Sequence, residues 1–502
     1  MAELYQVTTH AYHPVTDRPT VLCIGGVDSA GLAGLHMDAR SCEALDIHAA
    51  AAVTATTAQN NDGLFAVNPV NADVLESQID AAMALSPRVI KIGMLASAEQ
   101  IEMLGHKLPQ LGLPVVLDTV LATSSEGAEA DLTGRAKTLA KLLPLATVVT
   151  PNLPEAGALT AAGNNPDQAA AALREAGATW VVVKGGHSDA DPIVDTCVGP
   201  DHHFQLAQPR LDTPHLRGTG CALASLIAAA MARGYEVRDA LVIARMALHQ
   251  AIERAGPVNG QRGCPRPMGF PNGNWPGYRD DKLPSALNFP SCVSEEQPQL
   301  GLYPIVDRAV WLQQLLPLGV TTIQLRIKDL HGDALSDEIA EAVRIARDHH
   351  CRLFINDYWQ LAVEHQAYGV HLGQEDLESA DLKAIAAAGL RLGVSNHCHY
   401  ELARGLALRP SYIAVGPTYA TQTKDMPWVP HGLDGLQYWT EALADFPLVA
   451  IAGIKDHNIG QVSATGVSGV AMITAITDAD DPESVTRDLM ARMANGVHAS
   501  HG

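Results

Sequence analysis

Residues 321–330, TTIQLRIKDL, decide how the second half of the chain is read. Ile323, Leu325 and Ile327 alternate with Gln324, Arg326 and Lys328. A period of two belongs to a strand and sends the three polar side chains to one side of it. Seven similar short apolar runs lie around this one: GLYPIVD (301–307), RLFIND (352–357), GVHL (369–372), RLGVS (391–395), YIAVGP (412–417), PLVAIAGI (447–454) and GVAMIT (469–474). Most are separated by segments with helical spacing; Ile339, Ala342, Val343 and Ala346, for example, fall on one helix face. Eight such units predict a compact (β/α)₈ TIM barrel over residues 301–490, followed by a tail at 491–502, and place chemistry at the carboxyl ends of the strands.

The residues at those ends are chemically suited to a polyphosphate. Gln324, Arg326 and Lys328 close the second strand, and Asn356 and Asp357 the third; Asp376 follows the fourth in HLGQED, and Ser395 ends the fifth. Thr421, Thr423 and Lys424 follow the sixth in TQTK, Gly453 ends the seventh, and Ile473 and Thr474 end the eighth. Arginine offers a fork and lysine a point charge to phosphate oxygens. Asp357 and Asp376 suit Mg²⁺, which takes one or two carboxylates beside phosphate oxygens and water. A glycine where backbone must approach closely, with hydroxyls on the last two strands, is a common phosphate site in barrels.

QLRIKD, LFINDYW, GVHLGQED, GPTYATQTK and VAIAGI resemble, in order and spacing, the signature segments of the thiamine phosphate synthases, over nearly all of 301–482. The resemblance implies Mg²⁺-dependent coupling of hydroxymethylpyrimidine pyrophosphate with a thiazole phosphate. It assigns the pyrophosphate to Arg326, Lys328 and Lys424, and Mg²⁺ to Asp357 and Asp376. Gln324, Asn356 and Ser395 would contact the pyrimidine or leaving group, and Thr421, Thr423, Gly453, Ile473 and Thr474 the thiazole phosphate. Thiazole tautomerases share the fold but have no need of a paired carboxylate and pyrophosphate site.

The first half reads as a second α/β domain over residues 1–257. Strand-like runs at 20–26, 89–94, 114–120, 146–152 and 180–186 predict a doubly wound sheet. In RGTGCALASLIAAAMARG (217–234) a glycine-rich turn opens into an apolar helix, so Gly218 and Gly220 lie where backbone N–H groups can hold an anion. TPNLPEA (150–156) puts Asn152 and Glu155 after a strand, suited to Mg²⁺ and its waters; KGGH (184–187) puts Lys184 at another strand end, within reach of phosphates. With TATTAQN (54–60), KIGML (91–95) and GGVDSAGLAGLHMD (25–38), these segments resemble the ribokinase-like hydroxymethylpyrimidine/phosphomethylpyrimidine kinases. The resemblance implies ATP as co-substrate and a pyrimidine pocket lined by Ala33, Asp38, Thr57, Gln59 and Met94. It also implies Cys221 as base, with a thiol pKa lowered by the helix start. Arg217 stands where a histidine usually precedes GTGC.

Pro257 to Leu300, dense in Pro, Gly and Asn, predicts a linker over 258–300. Two domains are also what 502 residues with 47% hydrophobic content imply. A net charge of −21 excludes nonspecific nucleic-acid and anionic-membrane binding. No apolar run reaches the ~18 residues of a membrane helix, and Ala222 to Met231 fits a buried one. MAELYQVTTHAYHP has no secretory pattern, and the eight cysteines form no CxxC pair, so a reducing cytoplasm is expected. The pairs among the 21 histidines (His202 and His203, His349 and His350, His397 and His399) lack further ligands nearby and read as surface or turn residues. The leading reading is a thiamine-biosynthesis enzyme in which the first half makes the pyrophosphate that the second consumes, with small molecules as partners and self-association left open. Two alternatives keep the barrel: a first half that is a pyridoxal-type kinase, or one that binds pyrimidine without catalysis.

Overall fold

A computed structural model describes residues 17–121, 132–160, 165–186, 190–284, 286–420 and 428–500. The chain divides into two compact units between Asp281 and Lys282. The stretch read as a linker is shared between them. Its first part carries strands of the first unit; in its second part, Ala286 N–H donates to Ala407 O and Phe289 N–H to Arg409 O within the second.

Among the described residues, the first unit has twelve strands: β1 Thr20–Asp28, β2 His48–Gln59, β3 Leu64–Pro69, β4 Val89–Ile92, β5 Val115–Leu117, β6 Val148–Val149, β7 Trp180–Val183, β8 Ile193–Gly199, β9 His202–Gln208, β10 Gly256–Val258, β11 Gln261–Cys264 and β12 Gly277–Arg279. Ten of them form one sheet in the order β12-β9-β8-β7-β6-β5-β4-β1-β2-β3, and β10 and β11 pair separately. The six from β2 to β7 run parallel, and β3, β8, β9 and β12 add antiparallel edges. Five of the parallel strands (β1 and β4 to β7) are buried and apolar, as a sheet covered on both faces requires, while β2 is only partly buried. From β1 the chain moves to β2 and β3 and then returns to β4 on the other side of β1. This reversal opens a crevice at the carboxyl ends of β1 and β4, where open α/β sheets bind ligands. The helix Thr219–Ala232 is buried nearly all round because its apolar residues are mostly alanine, small enough for close packing.

The second unit closes eight parallel strands into a barrel: β13 Gly301–Val306, β14 Thr322–Leu325, β15 Arg352–Asn356, β16 Gly369–Leu372, β17 Arg391–Asn396, β18 Tyr412–Val415, β19 Leu448–Ile451 and β20 Gly469–Met472. The helix Gly332–Asp348 turns Leu335, Ile339, Ala342, Val343 and Ala346 inward, as its spacing predicts. The lumen is filled by rings: Tyr303 and Phe354 each pack edge to face against Tyr412, at 5.9 and 5.0 Å, and lie tilted to each other at 6.1 Å. Gly393 makes room for them: a Cβ there would sit 2.2 Å from the Tyr412 ring.

Candidate active sites in the two units

In the first unit, Ala33, Asp38, Thr57, Gln59, Met94, Asn152, Glu155, Lys184, Gly218, Gly220 and Cys221 all line one cavity of about 650 Å³. It lies at the sheet's reversal, with Gly25, Gly26 and Gly93 at the ends of β1 and β4 in its wall. Gly218 caps the helix Thr219–Ala232 with φ +83°, and a Cβ there would meet Leu32 O at 2.4 Å. A Cβ on Gly220 would sit 3.5 Å from Lys184 Nζ and 3.8 Å from Asp118 Oδ2. The turn is thus a backbone cradle beside an ammonium, a donor set that fits a phosphate of ATP.

Lys184 Nζ lies 2.9 Å from Asp118 Oδ1, which also accepts from Thr150 Oγ1. Burial pulls the Lys184 ammonium down, but Asp118 and Glu155 outweigh it and raise its pKa. Burial likewise works against the Asp118 carboxylate, yet Lys184 and Lys91 hold its pKa below the usual range. Asn152 and Glu155 cap the helix Leu153–Thr160 reciprocally. Asn152 Oδ1 accepts from Glu155 N–H at 2.8 Å, and Glu155 Oε2 accepts from Asn152 N–H at 2.9 Å and Thr119 Oγ1 at 3.1 Å. Burial raises the Glu155 pKa. At the cavity floor, Asp38 Oδ1 accepts from Lys91 Nζ and Ser225 Oγ, both at 2.8 Å. The expected low thiol pKa at Cys221 is overturned. Burial pushes the thiol up to about 11, with Asp38 and Asp118 adding to the rise, against the weaker pull of Lys91 and the Gly34 N–H. The helix start does not outweigh desolvation here.

At the barrel mouth the charges stand on β14 to β16. Gln324 is buried in the lumen, while Arg326 and Lys328 are exposed beyond it. Lys328 Nζ lies 2.6 Å from Asp357 Oδ2. Asp357 follows Asn356, which pairs in register with His371. Asp376 Oδ2 accepts from Gly373 N–H at 3.2 Å. Burial, and then the like charge of Asp357, raise the Asp376 pKa. Two carboxylates that feel each other, beside a lysine, fit Mg²⁺.

Across the mouth, four strands round from β15, Gly453 follows β19 with φ +70°, and a Cβ there would meet Tyr419 O at 2.5 Å. Ile473 caps the turn Thr474–Thr477 after β20. Lys424, Thr421 and Thr423 lie outside the described residues. Ser395 Oγ sits 2.8 Å from His371 Nε2, while His371 Nδ1 meets Tyr412 OH at 2.7 Å and Tyr412 OH meets Tyr303 OH at 2.8 Å. Burial holds the His371 imidazole down to about 4, so it is neutral and can donate through one ring nitrogen and accept through the other.

Lys91, Asp118 and His371 belong to these sites and were not singled out in the sequence; Arg217 was noted there only as standing where a histidine is usual. His371 was within reach: Val370 and Leu372 alternate with it in GVHL, which turns the imidazole into the lumen. Lys91 and Asp118 declare themselves only through partners 53 and 66 positions away, and Arg217 shows what it does only through Gln59 and Asp28.

A family model for phosphomethylpyrimidine kinase matches residues 28–265, and one for thiamine monophosphate synthase matches 302–476. The chain is 53% identical over 198 residues to a thiamine-phosphate synthase of Klebsiella pneumoniae, covering 39% of this chain and 94% of that protein. Among solved structures, a phosphomethylpyrimidine kinase from Clostridium difficile is similar at 32% identity with a TM-score of 0.41, over 47% of this chain and all of that one. A pyridoxal kinase from Staphylococcus aureus in complex with ADP is similar at 28% identity with a TM-score of 0.48, over 52% of this chain and 98% of that one. At such TM-scores the fold assignment stays with the observed strand order.

Proposed function

Because the chain belongs to the thiamine-phosphate synthase family through its second unit and carries a phosphomethylpyrimidine kinase domain in its first, we propose that it makes thiamine phosphate in sequence. The first unit phosphorylates hydroxymethylpyrimidine and then its phosphate with ATP. The second condenses the resulting pyrophosphate with thiazole phosphate. The observation that carries this reading is the convergence of the kinase residues, from Ala33 to Cys221, on one cavity.

In the first unit, the Gly218–Cys221 turn and Lys184 hold the transferring phosphate, and the donors facing it are fixed before the substrate arrives. Asn152 and Glu155 sit beside Lys184, where Mg²⁺ bound with the nucleotide would neutralise phosphate charge. Cys221 takes the proton of the attacking hydroxyl. With a thiol pKa near 11 its competent thiolate is a minor form at neutral pH, favoured by Lys91 and the Gly34 N–H. Gln59, Thr57, Ala33 and Met94 enclose the ring.

In the barrel, Arg326, Lys328 and Lys424 hold the leaving pyrophosphate, and Asp357 and Asp376 would hold Mg²⁺, which supplies further charge for the departing anion. The C–O bond breaks, and the pyrimidine-methyl cation is captured by the thiazole nitrogen. Gln324, Asn356 and Ser395 orient the pyrimidine; Gly453, Ile473 and Thr474, with Thr421 and Thr423, seat the thiazole phosphate. Arg326, Lys328, Asp357 and Asp376, which follow β14 to β16, and Gly453, which follows β19, lie on different sides of the mouth, as a substrate pair joined between them requires.

Purified protein given ATP, Mg²⁺, hydroxymethylpyrimidine and thiazole phosphate should form thiamine phosphate. If only preformed pyrimidine pyrophosphate is accepted, the kinase half of the proposal is wrong.

A further inference from the structure

Arg217 is 7% exposed and directs its guanidinium back to the β1 and β2 ends. Nη2 donates to Gln59 Oε1 at 2.9 Å and lies 3.6 Å from Asp28 Oδ2, and Nη1 donates to the Asn60 carbonyl. A guanidinium carries donors only, so the Gln59 atom that it meets must be the carbonyl oxygen, and the amide nitrogen is turned the other way. The main chain of Gln59 is pinned as well: Ser29 Oγ donates to its carbonyl at 2.8 Å and accepts from its N–H at 2.9 Å. Asp28, 1% exposed, is itself held by the N–H groups of Ala30 and Leu32. Gln59 Nε2 is therefore a fixed donor with no protein acceptor among the described residues, in the wall of the cavity shared with Ala33, Thr57 and Met94.

We propose that Arg217 sets the polarity of Gln59, so that the first unit selects an aromatic alcohol whose ring presents an unprotonated nitrogen to Nε2. The inference rests on the kinase reading of this cavity and adds a positioning residue to it. A ring with C–H at that place leaves the amide donor unsatisfied on binding. Lysine could keep a charge beside Asp28 but could not bridge Gln59, Asn60 and Asp28 at once, because it lacks the planar fork.

The test measures binding to the full chain by calorimetry, without nucleotide. The ligands are the hydroxymethylpyrimidine and its two deaza analogues, each with one ring nitrogen replaced by C–H. Wild type should prefer the parent over one analogue by about fivefold or more, the cost of one unsatisfied donor. In Arg217→Met and Arg217→Lys that preference should shrink to within about twofold, and KM should rise by more than kcat falls. Gln59→Leu should abolish the preference with Arg217 intact, which decides the matter if the Arg217 variants do not fold. Retained preference in the arginine variants, or a fall in kcat at constant KM, overturns the inference and gives Arg217 to phosphoryl transfer instead. A wild type that phosphorylates the alcohol without discriminating overturns it while the kinase reading stands. One that discriminates without phosphorylating supports it and sinks the kinase reading. Absence of binding removes both.

Discussion

Lys91 Nζ lies 2.8 Å from Asp38 Oδ1 with both side chains shut off from solvent, 1% and 0% exposed. Among the described residues, Asp38 Oδ2 has no hydrogen-bond partner. Burial favours the neutral carboxyl and so raises the Asp38 pKa, while Lys91 opposes it. Removing one partner of such a pair strands the other charge, which costs about 3–5 kcal/mol. Lys91→Met should therefore destabilise the first unit by that amount, read as lost hydrogen-exchange protection in the helix Thr219–Ala232. Adding Asp38→Asn should restore part of it. A single variant within about 0.5 kcal/mol of wild type would show that the pair is structurally idle.

The thiol of Cys221 gives a pH test with a definite sign. Its pKa is raised from 9.0 to about 11, so below pH 9 the thiolate fraction should be roughly 100-fold smaller than that of a free cysteine. Alkylation of Cys221, followed by peptide mass, should be correspondingly slow at pH 7.5 and climb as pH rises toward 11. The kinase rate should climb with it if the thiolate is the base. Labelling at pH 7.5 as fast as that of an unstructured cysteine peptide would refute the raised value.

The barrel was legible because each strand is a short, mostly apolar run set off from its neighbours by segments with helical spacing or by loops, and all eight lie within three residues of their expected ends. The sheet of the first unit was half hidden. β2, HAAAAVTATTAQ, is rich in alanine, which carries no strand signal. β3 is mostly exposed, and β12 is three residues inside the Pro/Gly-rich stretch. At the site, motif spacing found the cavity-lining residues but not their pairings. That Asp38 would face Lys91, or Asp118 Lys184, depends on strand order. The acidity of Cys221 went astray for a related reason: a helix start can be read from a sequence, but the burial that outweighs it cannot.

Lys328 and Asp357 are joined at 2.6 Å before any pyrophosphate arrives. Asp357→Asn removes one of the two proposed Mg²⁺ carboxylates and leaves Lys328 without its anion. The synthase kcat should fall by about 100-fold or more, with the Mg²⁺ concentration for half-maximal rate rising. ADP release by the first unit of the same protein should be unchanged, which reports that the chain is intact. An unaltered Mg²⁺ requirement would take Asp357 out of the metal site.

Gly453 and Gly218 allow the two activities to be separated by the same substitution. Both hold backbone in the left-handed region, at φ +70° and +83°, where alanine is strained. In each case the added Cβ would meet a carbonyl oxygen, Tyr419 O at 2.5 Å or Leu32 O at 2.4 Å, so backbone rather than a flexible side chain must give way. Gly453→Ala displaces the turn proposed to seat the thiazole phosphate, and KM for that substrate should rise by about tenfold or more. The pyrophosphate, which also meets Arg326 and Lys328 on the other side of the mouth, should be affected less, its KM rising by a smaller factor. Gly218→Ala shifts the cradle at the start of the helix Thr219–Ala232, and should lower kinase turnover while leaving synthase kinetics with preformed pyrophosphate intact. Steady-state measurements of both reactions on each variant give a crossed result that general destabilisation would not produce. If Gly453→Ala raised both synthase KM values equally, the glycine would be maintaining the barrel mouth as a whole and not one of its two sides.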